Sequence, residues 1–91
     1  MYNGIMEPFQ ALVLSLPTRN STLRMRLWRA LKDHGSGVLR DGVYVLPEAA
    51  ANGALAKLEA EIRAHGGFAM TLKLMPRSAE QFQDLQKLFD R

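Results

Sequence analysis

The chain has 91 residues, 47% of them hydrophobic and 23% charged, a balance that excludes a disordered protein and predicts one small globular domain. It contains no cysteine, which excludes disulfides and thiolate metal sites and suits a reducing cytoplasm. A formal net charge of +3 and a pI near 9.7 permit nucleic acid as a partner without requiring it, and no apolar run approaches the roughly 20 residues that cross a bilayer.

Residues 1–9 read as a lead-in closed by Pro8, without the basic start and apolar core of a secretory signal, so a cytoplasmic, membrane-free protein is expected. Gln10 to Leu16, "QALVLSL", is a short apolar run that ends at Pro17 and predicts a buried strand. After a loop at Thr18 to Asn20, a helix starts with Asn20 or Ser21 as N-cap and runs to about His34, where Gly35 supplies the stop. Leu23, Leu27, Ala30 and Leu31 form its core-facing stripe. Met25, Arg29 and Lys32 point away from that stripe, with Arg24 and Trp28 on one flank and Arg26 on the other.

Asp41-Gly42 lies between two β-rich runs in "GSGVLRDGVYVLP", residues 35–47, and signals a tight hairpin. A two-residue loop pairs Arg40 with Val43 and Leu39 with Tyr44. A second helix is expected from about Ala51 to His65, with Leu55, Leu58 and Ile62 inward and Lys57, Glu59, Glu61 and Arg63 solvated. Phe68 to Leu74, "FAMTLKL", alternates and predicts a fourth strand. Past Pro76, Ser78 and Gln81 make a capping box for a last helix over 78–91, striped with Phe82, Leu85, Leu88 and Phe89. The order strand, helix, strand, strand, helix, strand over 10–74 predicts an α+β, ferredoxin-like βαββαβ sandwich: a four-stranded antiparallel sheet with two helices on one face and an extra C-terminal helix. The bare second face would be covered by that last helix or by a second copy of the chain.

Nothing in this pattern makes a positive case for an enzyme. His34 and His65 sit at predicted helix C-termini, where the helix dipole favours cations. Ser15 has no paired histidine at a recognisable spacing, and Glu59 and Glu61, two apart on a helix, do not share a face. The glycines serve turns rather than a phosphate loop. No metal or cofactor is expected.

The basic first helix is the stronger feature. Arg19, Arg24, Arg26, Arg29 and Lys32 cluster there, and no acid stands four residues from Arg24 or Arg26, the positions being Asn20, Trp28, Thr22 and Ala30. A basic helix face is most often solvated surface. Arginine, though, makes bidentate contacts to phosphate and other oxyanions, and Trp28 could stack on a base. Three readings stay open. Arg19, Arg24, Arg26 and Arg29, with Arg40 at the hairpin tip, contact DNA phosphates. The same arginines, with Ser21 and Thr22 at the helix start, hold a small oxyanion. Or the chain is a homodimerisation module joined through Phe82, Leu85 and Phe89.

"SLPTRNSTLRMRLWRALKDHG", "LRDGVYVLP" and "EIRAHGG" together resemble the N-terminal domain of ChrB, the chromate-resistance regulator, over roughly Ala11 to Leu74 with the tail to Phe89 in keeping. The resemblance implies a cytoplasmic, DNA-binding, chromate-responsive transcriptional regulator, with chromate as its effector and a second, C-terminal domain that is absent here. The pattern is similar, more distantly, to the small subunit of CRISPR adaptation complexes and to the C-terminal region of PaaX-type repressors, both ferredoxin-like dimers. In the CRISPR family an aspartate ends the first strand as the proposed metal ligand. Ser15 stands at that place here, and a neutral hydroxyl does not replace a carboxylate in holding a hard divalent cation, so nuclease activity is not expected.

Overall fold

A computed structural model describes residues 8–17, 21–51 and 53–89. In chain order these form β1 (Phe9–Ser15), α1 (Ser21–Asp33), β2 (Gly37–Arg40), β3 (Val43–Pro47), α2 (Glu48–Ala51), α3 (Ala54–Ala64), β4 (Phe68–Leu74) and α4 (Ala79–Gln86). The four strands make one sheet in the order β2-β3-β1-β4, and every neighbouring pair is antiparallel. Strand order and crossovers are those of the ferredoxin-like sandwich, with α4 as the extra helix.

The strand pleat divides the core in two. Leu12 of β1, Leu46 of β3 and Ala69 of β4 face the main helices and pack with Leu23, Leu27 and Leu31 of α1 and Leu55, Leu58 and Ile62 of α3. Phe9, Ala11 and Val45 point to the opposite face and are covered by Phe82, Leu85, Leu88 and Phe89 from α4 and the turn after it. The Phe9 ring stacks parallel to Phe89 at 6.0 Å and meets Phe82 at 5.8 Å and 51°. The chain crosses β2 so closely that a Cβ added to Gly37 would lie 2.6 Å from Leu88 Cβ and 2.9 Å from its carbonyl oxygen. This cover ends partway along the sheet: Phe68, Met70 and Leu72 of β4 remain exposed.

The structure departs from the sequence reading in several places, and the last helix, expected over 78–91, spans Ala79–Gln86 with residues 87–89 in a turn. Phe9 belongs to the sheet, not to the lead-in: it pairs with both Pro47 and Leu74 and is buried. The helix expected to start at Ala51 starts at Ala54, after the separate short α2, because Gly53 adopts a left-handed φ of 76° and is the N-cap of α3. In the hairpin Arg40 does pair with Val43, but Val38, not Leu39, opposes Tyr44, because a bulge at Leu39 takes up one residue.

Candidate nucleic-acid interface

Burial of Leu23, Leu27 and Leu31 fixes the roll of α1 and turns Arg24, Met25, Arg26, Trp28, Arg29 and Lys32 to solvent. The helix is held at its C-terminal end by Ser36, whose backbone N–H and buried hydroxyl both donate to the Leu31 carbonyl, at 3.0 and 2.9 Å. The chain after α3 turns in the same way, with Gly67 N–H on the Ile62 carbonyl at 2.9 Å. Each predicted histidine follows such an end. His34 N–H bonds the Ala30 carbonyl, and His65 Nδ1 lies 2.9 Å from the Glu61 carbonyl.

The arginines do not act as one group. Arg26 turns toward α3 and forms an ion pair with the Glu61 carboxylate, whose side chain is only 25% exposed. The acid that spacing along α1 does not provide is thus supplied by α3. Glu61 is not the solvated charge expected of it, and Arg26 is committed within the fold. Glu59 is drawn in as well: its carboxylate accepts from Thr71 N–H at 3.0 Å and pairs with Arg63 at 3.3 Å. Arg63 in turn donates to the Ala69 carbonyl at 2.8 Å. These two side chains occupy backbone groups on the open edge of β4, where another strand would otherwise add. Hydrogen bonding from Thr71 holds the Glu59 carboxyl below the usual carboxylate range; partial burial opposes this and the Arg63 charge adds to it.

Arg24, Arg29 and Arg40 make no ion pair among the described residues. Lys32 lies over the Trp28 ring at 4.9 Å, a cation–π contact that places a third cation on the outward face of α1. Arg40 stands apart from them. Its pairing with Val43, one pleat from Val45, sets it on the sheet face away from α1. Ser21, Thr22, Arg26 and Arg29 do come together, in a groove of about 360 Å³ along the first turns of α1. Arg19 lies outside the described residues.

Phe82, Leu85 and Phe89, expected to join a second copy, pack within the chain over Phe9, Ala11 and Val45 and stay half-buried there. Among the described residues no cluster of His, Asp and Glu could hold a metal ion, and no helix is long and apolar enough to cross a membrane.

The family model described as Protein ChrB, N-terminal, matches residues 24–91. The chain is 40% identical over 81 residues to Protein ChrB of Cupriavidus metallidurans, a match that spans 88% of this chain and 25% of that protein. The chain therefore spans about a quarter of the length of the curated relative it matches. No solved structure matches it.

Proposed function

The chain belongs to the ChrB N-terminal family, and from that premise we propose that it is a non-catalytic regulatory module that contacts DNA in a chromate-responsive transcriptional regulator. The surface is the outward face of α1. The observation that carries this reading is the division among its cations: Arg26 is spent on Glu61, while Arg24 and Arg29 are exposed and without an acid partner among the described residues. Lys32 shares that face. Guanidinium groups free of internal ion pairs on a rigid helix suit phosphate contacts, which position a protein on a duplex without reading its sequence. Arg40, on the other side of the sheet, serves at most as a separate arm. Chromate acts as effector on the longer regulator.

The test is fluorescence anisotropy of the chain with a labelled duplex from the region upstream of its own gene. Binding at low ionic strength that weakens steeply with salt supports the proposal, because each neutralised phosphate releases counterions and contributes about −0.9 to the log–log slope. No binding at low salt refutes it.

A second reading is favoured by the groove that gathers Ser21, Thr22, Arg26 and Arg29. Its two hydroxyls and the Arg29 guanidinium suit a small oxyanion such as chromate or sulfate, with the Arg26 charge already held by Glu61. Calorimetry with chromate on the chain and on Arg29→Ala tests it, and equal heats for the two proteins reject it.

A further inference from the structure

On the flank of α1 away from Arg26, a cavity of about 400 Å³ opens between the helix and the tip of the β2–β3 hairpin. That volume lies within the roughly 300–1,000 Å³ typical of small-ligand sites. Leu14, Leu16, Trp28 and Tyr44 contribute to an interior that is apolar almost throughout. Trp28 is 48% exposed, a large apolar surface left beside an apolar hollow rather than buried in the core.

Among the described residues, two charged side chains line this cavity. Arg24 stands on the helix and Asp41 on the hairpin turn; both are exposed, and they form no ion pair with each other. The rim therefore offers one cation and one anion, on different elements, around an apolar interior. A simple carboxylate would satisfy Arg24 but bring its charge near Asp41. A simple amine would have the converse problem. Chromate, a strongly hydrated dianion, would lose its water to apolar walls for a single cation. A small zwitterion with an apolar tail meets all three features: its carboxylate on Arg24, its ammonium on Asp41 and its tail inside.

We propose that this cavity binds a small organic zwitterion with an apolar tail, the chemistry of a free apolar amino acid. The proposal shares Arg24 with the DNA-contact reading, but its test contains no DNA, so either can fail without the other.

Trp28 is the sole tryptophan of the chain, so its emission reports the cavity directly. The chain is titrated with L-phenylalanine and L-leucine, and with 3-phenylpropanoate and 2-phenylethylamine, which each carry one of the two charges. Saturable one-site changes are expected for the amino acids, with the one-charge compounds weaker by about tenfold, the size of one missing charge-assisted hydrogen bond. Arg24→Gln and Asp41→Asn should each weaken amino-acid binding by about tenfold while leaving the fold intact, since glutamine is a good helix former and Asn-Gly suits the same tight turn. Lys57→Gln, on α3 and away from the cavity, should bind as the parent does. No saturable change with either amino acid overturns the proposal. So does equal affinity for the acid or the amine alone, or unchanged affinity in both rim variants.

Discussion

The two flanks of α1 carry arginines that look equivalent in the sequence and do different things. On one flank Arg26 crosses to α3 and meets Glu61, so that its charge joins two helices. On the other, Arg24 and Trp28 stand beside a hollow, and Arg24 meets no acid among the described residues. Between them Arg29 and Lys32 face outward. The difference teaches that the number of basic residues on a helix does not measure its capacity to bind anions. What counts is how many of their charges the rest of the fold has already used.

The contrast can be broken outright by removing the stripe that holds both flanks in place. Leu27→Ala empties a buried position in the centre of α1, and urea unfolding should show a loss of about 2–5 kcal/mol, the range for leucine truncation in a packed core. A loss below about 1 kcal/mol would mean that α1 is not seated as described. The opposite sheet face offers a second test of seating. Gly37→Ala drives a methyl group against Leu88, so α4 must shift, and the cost should be about 1–3 kcal/mol by the same measurement.

The flanks themselves separate in a smaller effect. Arg26→Ala should cost about 1 kcal/mol of stability, the upper end for exposed pairs, because the carboxylate it leaves is largely withdrawn from water. Arg24→Ala should cost almost nothing. A double-mutant cycle with Glu61→Gln should return most of the Arg26 effect as coupling energy, whereas additive effects would show that the pair does not hold in solution.

The smallest effect is the pH dependence of the β4 edge. The Glu59 carboxyl is held below its ordinary range in the folded chain, so its contribution is complete above the unfolded carboxylate value, about 4.3 for glutamate. It is lost as the pH falls through the folded value. Glu59→Gln should therefore flatten stability against pH in the acid range below about pH 4 and change the profile little near neutrality. An unchanged acid limb in the variant would contradict the Thr71 contact.

Much of this architecture is legible in the chain because it is local. The α1 stripe, the Ser78–Gln81 cap and the hairpin turn at Asp41-Gly42 each depend on residues within a few positions, and the Gln81 N–H does donate to the Ser78 hydroxyl at 3.1 Å. The break at Gly53 is easily misread, because the alanines around it favour helix and conceal a left-handed residue. The bulge at Leu39 leaves no mark in an alternating run. The pairing of Arg26 with Glu61 is illegible for a different reason. It joins two helices whose relative roll is set only when both pack on the sheet, so no spacing along α1 could reveal it. The same holds for the cavity, whose walls come from β1, α1 and the hairpin. Of the candidate residues, Ser21, Thr22, Arg24 and Arg29 lie on α1 as expected, Arg40 falls on the other face, and Phe82, Leu85 and Phe89 pack over the sheet within the chain.

The most direct test of the central claim, that the fold sorts these arginines into structural and free ones, is the salt dependence of DNA binding in two variants measured side by side. Arg24→Ala/Arg29→Ala should weaken binding and lower the magnitude of the log–log salt slope by about 2, roughly one for each phosphate that is no longer neutralised. Arg26→Ala should leave the slope unchanged while lowering stability. A slope lowered equally by Arg26→Ala, or unaffected by the double variant, would contradict the account.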